Sequence, residues 1–364
     1  MTFATAFERF KTLTAEEWAL LKKVNSTDRL WQMPIAAALS SGLPLCVGAW
    51  FGRIDFGLIS SLGGLAFLYT PNTRLTRRMA GLMAFGFGMT ACFAFGLIAQ
   101  HWPWARVPTL TFVAVLSTML SRYFQTPPPG NFFFILCCVM GLFTPTPALD
   151  VPRSVGLMFM GCFLALMVAF FYSLIELRLR DARAPVEPTG YDFDAVIFDA
   201  LAIGLTIGAS LALALALQLE RPYWVPVSCA AVVQGQTMRA VWTKQLHRII
   251  GTTIGLAVAF ALVALPLDAW GVAATIMVLT FLVETAIVRH YGFAAMIFTP
   301  LTILLAEAAR PDAAAGALIQ ARFLDTIIGC AMGLAGAAII HRPTLRAKLA
   351  APLRRVTDAV LERR

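Results

Sequence analysis

Charge is scarce in this sequence. Only 13% of its 364 residues are Asp, Glu, Lys or Arg, against 59% that are hydrophobic. A soluble domain carries about 25% charged and about 45–50% apolar residues, so this chain cannot give a surface of its own size to water. Paired cysteines are missing too. Cys46, Cys92, Cys137, Cys138, Cys162, Cys229 and Cys330 all fall in apolar blocks, and no two make a Cys-x-x-Cys pair. Metal or disulfide chemistry needs spaced, facing thiols, and these read instead as small buried hydrophobes. No phosphate-binding glycine loop precedes a lysine, and no His-Glu-x-x-His or Ser-His-Asp set can be assembled. Neither ATP-driven chemistry nor an enzyme is expected, and no cofactor or metal. The first 30 residues are polar and charged and do not read as a cleavable leader.

What the chain has in abundance is apolar runs of roughly 17–25 residues, the length that crosses a hydrocarbon core about 30 Å thick. Twelve such blocks are expected, at 32–51, 55–70, 79–99, 105–121, 131–147, 154–176, 196–218, 222–234, 248–266, 270–288, 291–306 and 320–340. The fold class is therefore an all-α integral membrane protein of about 12 transmembrane helices. The blocks at 55–70 and 222–234 are short for a full crossing.

Orientation follows from where the cations fall. With both termini cytoplasmic, all but Arg53, Arg106, Arg153, Arg221, Arg310 and Arg322 of the 29 Lys and Arg lie in inner segments. The net charge of +9 thus reflects topology. No basic run is interleaved with aromatics as single-strand binding would require, so no nucleic-acid partner is expected.

Domain organisation reads as follows. Residues 1–31 form a cytoplasmic amphipathic segment, where Thr14-Ala15-Glu16-Glu17 is a capping-box pattern opening a helix with Trp18, Leu21 and Val24 on one face. Residues 32–176 are a first six-span repeat, 177–195 a polar cytoplasmic linker, 196–340 a second repeat, and 341–364 a basic tail. The halves echo each other: Arg78-x-x-Gly81 answers Arg248-x-x-Gly251, and Gly161-Cys162 answers Gly329-Cys330. Phe143-Thr144-Pro145 also recurs as Phe298-Thr299-Pro300, though at a different depth in its span. Six spans per half keep the copies parallel, with a site expected between them near mid-depth.

Candidate site residues cluster around the eighth block, where Pro222 and Pro226 bracket Tyr223 and Trp224, and Ser228, Gln234, Gln236 and Thr237 follow. Proline removes a backbone donor and kinks a helix. A broken helix at membrane depth persists where it is buried in protein or lines a watery cavity. Its counterpart at 55–70 carries Ser60, Ser61 and paired glycines. The alternative is that Pro and Gly merely let helices pack, with Tyr223 and Trp224 in the interfacial aromatic belt. Arg78 and Arg248 stand at the expected inner mouths of repeat-related spans, where a guanidinium fork suits a carboxylate. Each can equally be a topology anchor. Glu284 lies within the tenth span with no cation three or four residues away, which makes it the proton-coupling candidate; pairing with Arg248 or Arg289 is the structural alternative. Asp325 follows Arg322 by three residues, the spacing of a helix-surface ion pair. Asp199 reads as an interface marker. Gly204-x-x-x-Gly208, Gly251-x-x-x-Gly255 and Gly329-x-x-x-Gly333 are assigned to helix packing.

The run Tyr223-Trp224-x-Pro226-x-Ser228, Val232-Val233, Gln236-Thr237 and Arg248-Ile249-Ile250-Gly251-Thr252-Thr253-Ile254-Gly255 resembles the signature of the fusaric-acid-resistance family. That family includes bacterial aromatic acid exporters and is related to aluminium-activated malate transporters. The resemblance is most specific over 220–300 and looser over 30–175. It implies a bacterial inner-membrane secondary transporter that exports aromatic or other organic carboxylic acids, driven by protons. Work with a periplasmic adaptor protein, or as a homo-oligomer, is compatible with it. The sizeable cytosolic region of larger members has no counterpart here beyond the linker and tail. A passive organic-anion channel and a non-transporting scaffold subunit are the alternative functions.

Overall fold

A computed structural model describes residues 24–181, 193–235, 237–307 and 315–342 of the chain. The amphipathic segment before residue 24, most of the linker, Gln236 and nearly all of the basic tail lie outside the described residues. Among the described residues there is no strand, and twelve α-helices run in sequence. They are α1 (Gln32–Trp50), α2 (Ile54–Gly64, extended by a 3-10 turn over Leu65–Tyr69), α3 (Leu75–Ala99), α4 (Arg106–Tyr123), α5 (Phe132–Phe143) and α6 (Val151–Leu179). After the linker come α7 (Phe193–Ala216), α8 (Trp224–Val233), α9 (Met238–Val263), α10 (Ala269–Ile287), α11 (Tyr291–Glu307) and α12 (Ala315–His341).

Eight of these are long and apolar enough to cross a membrane, and the shorter apolar four are α2, α5, α8 and α11. The short helices thus fall at every third position. The sequence flags the second and eighth; the structure adds the fifth and the eleventh. α5 ends at Phe143 because Thr144-Pro145-Thr146-Pro147 follows, and the residue before a proline is pushed out of helical geometry. Pro300, by contrast, lies inside α11, so the two Phe-Thr-Pro triplets occupy unlike places. α8 has only ten residues, all buried, and spans about 15 Å, roughly half the hydrocarbon thickness. Its Pro226 sits in the first turn, where a missing N–H leaves no helical bond broken. α9 begins ten residues before the expected span, capped by Thr237, whose hydroxyl accepts from the Ala240 amide at 3.1 Å. The charges at Arg239 and Lys244, which favour an inner loop in the sequence, are therefore on a helix.

The same packing pairs recur in the two sets of six. α3 packs on α5 and α6, and α2 on α6; α9 packs on α11 and α12, and α8 on α12. Glycine makes the second of these contacts possible in each set. A Cβ at Gly161 would run into the Ser60 carbonyl, and one at Gly329 into the Val225 carbonyl and the Ser228 side chain. Gly204 and Gly208 lie against Val115 and Thr111 of α4, and Gly251 and Gly255 against Gly292 and Met296 of α11. The two sets meet where α4 packs on α7 and α10 on α1. Trp50 and Trp270 close the latter seam edge to face at 6.4 Å.

The face at which α1 begins is termed proximal below, and the opposite face distal. Residues 24–31 form a strap across the proximal face. The Asn25 amide donates to the Arg289 carbonyl at 2.8 Å. Arg29 reaches α10 through Glu284, and Asp28 lies 3.8 Å from Arg180 just beyond α6.

Candidate functional site

Where the two sets of six helices meet they enclose a cavity of about 1270 Å³. That exceeds the roughly 300–1,000 Å³ of ordinary small-molecule pockets. All four short helices line it, through residues such as Ile59, Met140, Ala230 and Phe298. The wall runs from Asp55, Arg153 and Arg221 near the distal face to Arg122, Lys244 and Glu284 near the proximal one. Helices too short to cross leave irregular backbone at depth, which is stable only against protein or a watery space. Here the turns 125–131 and 144–147 line that space.

Of the residues expected at a site, Ser61, Tyr223, Trp224, Gln234, Arg248 and Glu284 line the cavity. Ser60 does not: its backbone is pressed against Gly161. Ser228 is fully buried and accepts from Arg248 Nη2 at 3.2 Å. Thr237 serves as the cap of α9. Arg78 is also absent from the wall. It is completely buried, with Nη1 at 2.6 Å from Glu176 and 3.0 Å from Ser173. Its charge is neutralised by an acid of α6.

Arg248 shares with Arg78 its burial, a serine hydroxyl and an unpartnered Nε, but among the described residues it has no acid beside it. It stands well inside α9 rather than at its mouth, and its Nη groups meet two hydroxyls, Tyr291 at 3.3 Å and Ser228 at 3.2 Å. Its Nε has no hydrogen-bond partner, and among the described residues no carboxylate lies within ion-pair distance of it. One turn away, Lys244 also faces the cavity, with Nζ 5.2 Å from the centroid of the same Tyr291 ring. Two cations and a phenol hydroxyl thus converge on one stretch of wall.

The acids of the wall are all matched. Asp55 pairs with Arg53 at 2.9 Å, Asp150 with Arg153 at 3.0 Å, Asp199 with Arg122 at 3.9 Å and Glu284 with Arg29 at 3.0 Å. The partner of Glu284 is therefore neither Arg248 nor Arg289 but a residue of the strap, 255 positions away in sequence. What is left over is positive: Arg221, Lys244 and Arg248 line the cavity without an acid within ion-pair distance among the described residues. A surplus of cations on a partly apolar wall attracts an anion with an apolar body.

Arg322 and Asp325 also depart from expectation. They make no ion pair on a helix surface, since both are buried inside α12 and Arg322 lies in no outer loop. The Arg322 guanidinium lies 3.6 Å from the centroid of the Trp224 ring, a cation–π contact. In the first set, Arg153 stands 4.9 Å from the Phe56 centroid. Arg53, Phe56 and Ser60 recur at one constant offset as Arg221, Trp224 and Ser228. That recurrence is visible in the sequence and would have drawn attention to Arg221. Lys244 has a plainer signal, one helical turn before Arg248. Nothing in the spacing points to the meeting of Arg322 with Trp224.

Comparison with known proteins bears on the same region. Residues 207–336 match the family described as "Fusaric acid resistance protein-like". That family is one of membrane transporters and not of enzymes. Over most of the chain there is similarity to the "Uncharacterized membrane protein YvaC" of Bacillus subtilis (strain 168), 20% identical over 459 aligned positions that cover 86% of this chain and 73% of the relative. No solved structure matches. The chain is thus a multi-pass membrane protein whose residues 207–336, Trp224, Arg248 and Arg322 among them, are similar to the fusaric acid resistance protein-like family.

Proposed function

We propose that this protein is a secondary transporter that moves small organic carboxylic acids, aromatic ones included, out of a bacterial cell across its inner membrane. The observation that carries this reading is the unneutralised Lys244–Arg248 pair on the wall of a large cavity between the two sets of helices. Arg248 offers a planar fork to a carboxylate, Lys244 a point charge and the Tyr291 hydroxyl a third donor. Trp224, Phe298 and Phe133 offer apolar surface to the body of the acid.

The two sets of helices act as parallel repeats with both termini cytoplasmic, so the proximal face is the inner one. Rocking of one repeat against the other exposes the cavity first to one side and then to the other. Glu284, which lines the cavity and is paired with Arg29, carries the coupling proton. Association with a periplasmic adaptor or with further copies of the chain lies within this reading, and neither is needed to form the cavity.

The test is flux of labelled benzoate through the purified protein reconstituted in lipid vesicles, with and without an imposed pH gradient. Transport that responds to the gradient and disappears in Arg248→Ala, while the variant keeps its wild-type yield and elution profile, supports the proposal. Gradient-independent current would turn it into a channel, and unchanged flux in Arg248→Ala would remove the site.

A further inference from the structure

The unneutralised cations are not scattered. Following α8 from its end back to its start, Arg248 is bound to Ser228, Arg322 lies on Trp224 one turn further, and Arg221 stands just before the helix begins. Lys244 precedes Arg248 by one turn of α9. Successive turns are about 5.4 Å apart, so these four cations form steps from the proximal part of the cavity to its distal mouth. All four come from the second set of helices. Three of them have counterparts in the first set that are quenched: Arg53 by Asp55, Arg78 by Glu176 and Arg153 by Asp150.

Arg322 is the step that does not face the cavity. It is 1% exposed, and its Nε and Nη1 have no hydrogen-bond partner. Asp325, one turn along α12, lies outside ion-pair distance, with one carboxylate oxygen unpartnered as well. A buried arginine with idle N–H groups is costly, and the Trp224 face supplies only part of what a carboxylate would supply. Trp224 itself lines the cavity, so the ring stands between Arg322 and the space. We propose that Arg322 is a concealed anion-binding residue of the transport path. When the Trp224 ring turns aside, the guanidinium takes the carboxylate handed on from Arg248 and passes it toward Arg221. The first set of helices, in which Arg53, Arg78 and Arg153 are quenched, serves as the scaffold against which the second conducts.

This inference rests on the transport reading above, and the experiment separates the two. Benzoate flux is measured in vesicles for wild type, Arg322→Gln, Arg322→Lys and Arg322→Gln/Asp325→Asn. The expected result for Arg322→Gln is a maximal rate reduced about tenfold or more with KM little changed, because the residue acts after binding at Arg248. Arg322→Lys, which retains the charge, recovers part of the rate. A wild-type rate in Arg322→Gln would overturn the inference. So would full recovery in the Arg322→Gln/Asp325→Asn double variant, which would mean that Arg322 serves only to balance Asp325. Absence of benzoate flux in the wild type would instead overturn the transport reading on which the inference depends.

Discussion

Two arginines with the same local sequence pattern, Arg-x-x-Gly, have opposite fates, and the difference is one distant residue. Arg78 is held by Glu176, 98 positions away; Arg248 finds only hydroxyls. Removing one partner of a buried pair leaves an uncompensated charge, which costs about 3–5 kcal/mol, whereas removing both is often nearly neutral. Arg78→Gln is therefore expected to lower the detergent melting temperature sharply, and Arg78→Gln/Glu176→Gln to recover most of the loss. Arg248→Gln leaves no orphaned acid, so its melting temperature should stay close to wild type even as transport fails. A pronounced drop in Arg248→Gln would mean that this arginine is structural. Glu284 has its own prediction. If it carries the proton, Glu284→Gln keeps downhill exchange of benzoate and loses the response to an imposed pH gradient; retention of that response would relieve Glu284 of the role. At this scale the sequence was only partly informative. Residue type and the short eighth block single out Trp224, Arg248 and Glu284, which line the cavity, but pairings such as Arg78–Glu176 and Arg29–Glu284 depend on which helices become neighbours, and no spacing along the chain records that.

At the scale of helices, apolar length and proline placement were enough to find all twelve elements, because the bilayer demands a near-fixed length and proline breaks it. The errors fell at the ends. α9 reaches further than the apolar run suggests, since a capped helix tolerates Arg239 and Lys244 in its first turns. α5 is shorter, since a Pro-x-Pro run can stay irregular beside a cavity. The glycine spacings were readable as contacts but not as to partner. Their importance can be checked directly. Gly161 and Gly329 each admit a neighbouring backbone where a Cβ would collide with it, while a Cβ at Gly156 meets nothing within 4 Å. Gly161→Val and Gly329→Val should each destabilise the fold by upwards of about 1–3 kcal/mol, the usual cost of overpacking. Gly156→Ala should be neutral or slightly stabilising, as expected for glycine replaced inside a helix. Thermal unfolding followed by size-exclusion profile distinguishes these outcomes, and equal stability of all three variants would show that the α2–α6 and α8–α12 contacts are not close.

At the scale of the whole molecule, the cavity is lined by four shorter apolar helices set among eight that are long and apolar enough to cross a membrane. Adjacent serines on α2 offer a sharp probe of it. Ser61 lines the cavity and Ser60 packs against Gly161. In intact vesicles, Ser61→Cys should react with a water-soluble maleimide and be protected by benzoate, while Ser60→Cys should remain inert. The wild type, whose cysteines are buried or half-buried in apolar helices, sets the background. Equal labelling at both positions would contradict the geometry of the wall.

The strap over the proximal face connects two parts that a rocking mechanism must separate. Through Arg29 it grips α10, and through Asp28 it grips the end of α6. In the proposed mechanism, opening on that side stretches a leash whose shorter clasp is the carboxylate assigned the coupling proton. Protonating Glu284 would then let the clasp go, and loading the proton and unlatching the proximal door would be a single event.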